Sequence, residues 1–250
     1  MSKDRTWTNP PLTEVSIARP SATIVLIREA SGAPEIFMVR RHAASSFGAA
    51  YAFPGGVVDT ADGEVQQYCT GRSALDADQV LSLATGGLDY YVAAIRELFE
   101  ETGVLLATVD SSAVALEEMR YRLNRGSQSW TEFLSDSNAH LLCNQLHYFS
   151  HWITPEHLPK RYTTRFFVAE LPAGQFAYHD ERELTNSTWI TAADALQAGK
   201  NGAMKLHFPT RTILQSLAAH DRVSAMVDWA RRCEANGVET IRPVMPDATQ

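Results

Sequence analysis

The chain has 250 residues, 45% hydrophobic and 20% charged, with a formal net charge of −7. That length and apolar content suffice for a single domain over residues 1–250 with added segments, and the scattered aromatics argue against disorder. The acidic balance disfavours nonspecific nucleic-acid binding, which draws on basic patches, but admits an anionic substrate wherever a cation stands between protein and phosphate.

Residues 1–20 are polar and carry Pro10-Pro11, the pattern of an extended arm. Ser21 to Ile27 is rich in β-branched residues and predicts a strand, with Glu35 to Arg40 as its partner across the turn Ser31-Gly32-Ala33-Pro34. Arg40, Arg41 and His42 close that second strand, where basic side chains meet either phosphate or solvent. Residues 43–50 are small and loop-like. Ala52 to Asp59 is a short apolar strand broken by Pro54-Gly55-Gly56, and the paired glycines permit a backbone approach that other residues forbid. Their carbonyls can therefore face a metal or a phosphate. Within the next stretch, Leu75, Val80, Leu81 and Leu83 suggest a short helix over 73–83.

Asp89 to Val104 predicts the principal helix. Ala93, Ala94, Ile95, Leu98 and Phe99 give it an apolar face, Asp89 reads as its N-cap and Gly103 as its stop. Glu97, Glu100 and Glu101 stand at i, i+3 and i+4, which puts three carboxylates on one face with Cβ atoms about 5–6 Å apart. Like charges at that spacing destabilise a helix. A divalent cation would offset the cost, since hard ions take oxygen ligands from a few carboxylates plus substrate phosphates. A solvated acidic face partly neutralised by Arg96 is the competing reading.

Beyond the helix, residues 104–109 read as a strand, 111–124 as a helix and 131–142 as a second short helix. Residues 145–153 and 163–171 read as strands. His147, His151 and His157 lack the spacing of a metal set and read as satisfied or exposed histidines. The charged run His179 to Leu184 precedes a strand around Trp189-Ile190. Thr191 caps a helix to Ala198, and helices follow at 208–219 and 223–236, the last stopped by Gly237. The tail from Val238 is proline-bearing.

Gly56, then Arg96-Glu97-Leu98-Phe99-Glu100-Glu101-Thr102-Gly103-Val104, resembles the Nudix box, Gly-x5-Glu-x7-Arg-Glu-U-x-Glu-Glu-x-Gly-U with U aliphatic. The second half matches at every defined position. In the first half Asp62 stands at the early Glu, and an insertion over about 63–88 splits the motif. A split box of this kind is similar to the Nudix branch typified by the mammalian peroxisomal coenzyme A diphosphatase. The likeness extends to residues 49–62, His151-Trp152-Ile153-Thr154-Pro155 and Thr163-Thr164-Arg165-Phe166-Phe167.

The resemblance implies an α/β fold, the Nudix α/β/α sandwich with a mixed sheet and helical additions at about 111–142 and 205–236. It implies metal-dependent hydrolysis of a nucleoside diphosphate derivative with Mg²⁺ or Mn²⁺ held by Glu97, Glu100, Glu101 and a carbonyl of the glycine pair, Gly56 or Gly55. Arg96 would hold the glutamates, and the general base is either Glu97 or Glu183, six residues before Trp189, with Glu181 as an alternative to the latter. Arg40, Arg41, Phe53 and Arg165 are the candidate substrate contacts.

The branch favours coenzyme A or acyl-CoA, cleaved to 3′,5′-ADP and a phosphopantetheine. A separate coenzyme A signature known from another Nudix branch is not met by residues 37–52, so ADP-ribose, NADH and dinucleoside polyphosphates stay open. A Nudix-fold regulator without turnover is the rival from another class. Nudix relatives are often homodimers, and that state stays open here. No stretch is apolar for long enough to span a bilayer, the first residues do not read as a signal peptide, and the last do not read as a peroxisomal tripeptide. With three scattered cysteines, the expected setting is cytoplasmic.

Overall fold

The computed structural model describes residues 16–41, 49–179 and 184–243. β1 (Arg19–Arg28) buries both faces, with Ala22, Ile24 and Leu26 on one side and Val25 and Ile27 on the other. A strand covered on both sides belongs inside a layered sheet. β2 (Glu35–Arg41) returns antiparallel with Ile27 opposite Ile36. Two short strands, β3 (Tyr51–Ala52) and β4 (Gly55–Val57), follow, and β4 folds back on β1 with Ala22 opposite Gly56.

α1 (Thr60–Gly63) leads into the insertion, which contains β5 (Cys69–Thr70) and α2 (Ala74–Leu81), the last opened by a reciprocal Ser73–Asp76 cap. α3 (Gly87–Thr102) then buries Tyr91, Val92, Ile95, Leu98 and Phe99 against the sheet. It starts after Gly86, at φ +80°, and not at Asp89 as the sequence suggested. The reason is packing. A Cβ at Gly87 would lie 2.5 Å from the backbone carbon of Ala77, so glycine lets the start of the helix pack directly on α2. Asp89 instead sits in the first turn and accepts a 2.7 Å hydrogen bond from Gln66 Nε2.

β6 (Ala107–Thr108) is only two residues long, because Val104, Leu105 and Leu106 enter the core as irregular chain. α4 (Ala113–Asn124) and α5 (Trp130–Asp136) are capped by Ser112 and Ser129. Residues 140–142, expected as helix, form β7 (His140–Leu142). Asn138 takes a left-handed turn at φ +47°, and the chain re-emerges extended to pair with β5 and β6.

β8 (His147–Ile153), β9 (Tyr162–Glu170) and β10 (Leu184–Thr191) lead to α6 (Ala192–Lys200), α7 (Phe208–Leu217) and α8 (Val223–Asn236). The proline-bearing tail, for which the sequence marked no element, adds β11 (Thr240–Ile241) parallel to β8. The main sheet runs β10-β2-β1-β9-β8-β11, with β1 and β9 parallel and β2 antiparallel to both its neighbours. One core cluster lies between this sheet and α3, and the other lies under α6, α7 and α8. The result is the layered mixed α/β architecture that the sequence implied.

Two predictions follow from this packing. Gly87→Ala should lower stability by about 1–3 kcal/mol, the usual cost of overpacking, read as a lower urea midpoint. An unchanged midpoint would mean that the α2–α3 crossing tolerates a methyl group. The second concerns β11. The ring nitrogens of His151 each lie 2.8 Å from a threonine hydroxyl, Thr240 Oγ1 and Thr163 Oγ1. Burial, with Arg165 and Arg242 nearby, lowers its pKa to about 4 from 6.5. Below pH 6.5 the unfolded chain binds a proton that the folded chain resists, so stability falls as pH drops from 6.5 toward 4. His151→Gln should flatten that limb of the pH–stability curve, and an unaltered limb would refute the assignment.

Candidate active site

The site is built around the guanidinium of Arg96 on α3. Its Nε donates to Asp62 Oδ1 at 2.8 Å and its Nη2 to Asp62 Oδ2 at 3.0 Å, a two-pronged pairing. Nη1 donates to Glu97 Oε1 at 2.9 Å and Glu100 Oε2 at 3.2 Å, and Nη2 also reaches the Val57 carbonyl at 3.1 Å. A rigid planar fork suits such multiple recognition of carboxylates. Burial opposes the charge on Arg96, but Asp62, Glu97 and Glu100 outweigh it and push its pKa up.

Asp62 is fully buried on α1 and also accepts from the Asp59 backbone N–H at 2.7 Å. It lies 34 residues before Arg96 in sequence, yet the insertion loops out and returns to leave the two in contact. The substituted first acid of the motif therefore still meets the arginine of the second half.

The Gly55-Gly56 turn supplies the opposite wall. A Cβ at Gly56 would lie 2.3 Å from Glu97 Oε1, so only glycine lets that carboxylate reach the strand backbone. The Gly55 N–H donates to Glu101 Oε2 at 3.0 Å, and a Cβ at Gly55 would lie 2.4 Å from the Ala22 carbonyl oxygen. The Gly56 carbonyl, on the strand that pairs with β1, accepts a 2.7 Å bond from Ser21 Oγ. Burial raises the carboxyl of Glu100 to about 7, reinforced by the charges of Glu97 and Asp62 and opposed by Arg96.

These residues suit a hard divalent ion in kind. They are oxygen donors, Glu101 is buried, desolvation disfavours the charge of the half-buried Glu100, and the glycine opening admits a carboxylate to the backbone. As placed, no three His, Cys, Asp or Glu side chains among the described residues form a ready metal-binding group. The glutamates would turn toward an ion from their contacts with Arg96 and the Gly55 amide.

The remaining sequence candidates divide. Arg40 is exposed at the end of β2, where its side chain can meet an anion; Arg41 follows in the same strand. Glu181 and Glu183 lie outside the described residues. Phe53 and Arg165, expected to touch substrate, are interior residues. Phe53 is 2% exposed and packs in the cluster under α6, α7 and α8, where its apolar ring leaves water. Arg165 is 4% exposed; its Nη2 donates to the Leu81 carbonyl at 3.1 Å, and its guanidinium sits 4.3 Å from the Tyr90 ring centroid. Strand alternation turns it beneath α2 and α3, where it braces the insertion. Sequence reasoning missed Ser21, Arg120 and Asn124, which bond backbone carbonyls at the site, because no motif spacing marks them.

Residues 71–212 match the NUDT19 Nudix domain model. The chain belongs to this Nudix family. It is accordingly a hydrolase. The matched stretch begins after Asp62, so the closure of the first half of the box onto Arg96 is a structural observation independent of that match. Among curated relatives, the Xenopus laevis acyl-coenzyme A diphosphatase NUDT19 is 25% identical, with 84% of this chain and 67% of the relative covered. The Caenorhabditis elegans putative nudix hydrolase 7 is also 25% identical, covering 91% of this chain and 67% of its own. The crystal structure of a NUDIX hydrolase from Alicyclobacillus acidocaldarius superposes with a TM-score of 0.72 and 26% identity, over 86% of this chain and 97% of that one.

Because Asp62 and Arg96 are buried together, removing one partner strands the other. Asp62→Ala should cost about 3–5 kcal/mol of stability, measured by urea denaturation. A loss within the range of a surface substitution would show that Asp62 is no anchor.

Proposed function

We propose that this Nudix hydrolase cleaves the pyrophosphate bond of a nucleoside diphosphate derivative, with coenzyme A or acyl-CoA as substrate. The observation that carries the reading is the meeting of Glu97 and Glu101 with the Gly55-Gly56 backbone while Arg96 gathers Asp62, Glu97 and Glu100. The name of the Xenopus relative supports the substrate choice.

Nudix hydrolases generally use divalent metal ions. Glu97, Glu100 and Glu101, with a carbonyl of the Gly55-Gly56 pair, would hold Mg²⁺ or Mn²⁺, which neutralises phosphate charge and polarises the P–O bond when bound. The protein's own groups do the rest. Arg96 keeps Glu97 and Glu100 gathered at the site through charge-assisted hydrogen bonds, from which they would turn toward an ion. Glu97 or Glu183 accepts the proton of the attacking water; the new bond forms from water oxygen to phosphorus, and the bridging oxygen leaves with the other phosphate. Arg40 and Arg41, at the end of β2, draw the anionic substrate by its charge. Coenzyme A would yield 3′,5′-ADP and phosphopantetheine.

The test is incubation with Mg²⁺ or Mn²⁺ and coenzyme A, acyl-CoAs, ADP-ribose, NADH and dinucleoside polyphosphates, with products identified by mass spectrometry. Metal-dependent 3′,5′-ADP from coenzyme A is the expected result, and cleavage of another compound alone would discard the substrate assignment. Glu100→Gln and Glu101→Gln should each lower the rate by orders of magnitude with an unchanged circular dichroism spectrum. Near-full activity in both would remove the glutamates from the site.

A further inference from the structure

The last turn of α3 ends in carbonyls that the helix itself cannot satisfy. Gly103 N–H takes the Phe99 carbonyl, at 2.9 Å, and Tyr178 N–H takes that of Thr102, at 3.1 Å. The carbonyl of Glu100 is taken from outside by two side chains of α4. Arg120 Nε donates to it at 3.1 Å, and Asn124 Nδ2, one turn further on, donates at 3.0 Å.

Arg120 is 3% exposed, and its other contacts lock it in place. Its guanidinium lies 4.9 Å from the Tyr178 ring centroid, Nη2 reaches the Tyr178 carbonyl at 3.5 Å and Nη1 lies 3.6 Å from Glu117 Oε1. The Tyr178 hydroxyl in turn donates to Glu117. Gly103, at φ +76°, leaves the room this requires: a Cβ there would lie 3.1 Å from Arg120 Nη1. A cation at the C-terminal end of α3 also meets the negative end of the helix dipole, where Glu100 and Glu101 add charge of the same sign.

We infer that Arg120, with Asn124, is a positioning element for the hydrolysis: it fixes the backbone of the turn that carries Glu97, Glu100 and Glu101 without touching substrate. This rests on the function proposed above. The glutamates take their direction from two arginines acting at different places. Arg96 holds carboxylates, and Arg120 holds the peptide between them. Loss of Arg120 leaves the side chains present but lets the turn shift, and displacements of about 1 Å can cost up to about 100-fold in rate.

The experiment compares Arg120→Met, Arg120→Lys and Asn124→Ala with the unaltered full chain. It measures kcat and KM on whichever panel nucleotide is cleaved, Mn²⁺ affinity by electron paramagnetic resonance and the thermal midpoint, with rates taken well below that midpoint. The expected result for Arg120→Met is a fall in kcat of about 10- to 100-fold with KM within a few-fold and weaker Mn²⁺ binding. Asn124→Ala, the milder change, should move the same quantities less, and Arg120→Lys should restore part of the loss. Unchanged kcat and Mn²⁺ affinity with only a lowered midpoint would overturn the inference and leave the proposed function standing. If Arg120→Met does not fold, Asn124→Ala alone decides by the same criteria. An unaltered chain that neither binds Mn²⁺ nor cleaves any compound would overturn both.

Discussion

One constraint governs the site: acids drawn into the interior need a partner of opposite charge, and Arg96 is that partner. Desolvating a carboxylate is costly unless it is paired and its remaining lone pairs are bonded. Asp62 meets both conditions through two guanidinium nitrogens and the Asp59 amide. Because the same guanidinium bonds Glu97, Glu100 and the Val57 carbonyl, α1, the glycine turn and α3 must arrive together. Moving any one of them opens a buried charge.

That constraint explains how an insertion can divide the motif without dismantling it. Closing a longer loop costs little more than closing a short one, since the entropy rises only with the logarithm of length. The insertion also brings its own anchors. Asp78 Oδ1 accepts from the Gly87 N–H at 2.6 Å, Gln66 bonds Asp89, and Arg165 reaches up from β9 to the Leu81 carbonyl. Arg72 ion-pairs with Glu234 at 2.6 Å, tying the inserted segment to the end of α8. The inserted chain is thus a packed layer of the fold whose ends are delivered to Arg96.

The parts of this arrangement legible in the sequence are those written in local pattern. The carboxylate spacing of α3, its stop at Gly103 and the Thr191 cap of α6 depend on residues within a turn of each other, and the structure has them. What escaped the sequence depends on distant neighbours. The start of α3 is set by the backbone of Ala77, β7 by pairing with β5 and β6, and β11 by the flank of β8. The interior placement of Phe53 and Arg165 escaped it for the same reason. A motif shows that a residue stands near a site in sequence but not toward which face its side chain turns: strand alternation turns Arg165 inward, and the link between β3 and β4 buries Phe53.

The same logic explains why the site needs support from beyond the motif. A cluster of glutamates in the last turns of a helix is unfavourable twice over, through mutual repulsion and through the negative end of the dipole. Nothing within the α3 sequence offsets the second effect, for its last turn contains no basic residue. The compensation comes from α4, whose Arg120 brings a buried cation to the Glu100 carbonyl. The helical addition between α3 and β8 therefore has a physical role at the site: it lets a helix end in acids and still hold them still.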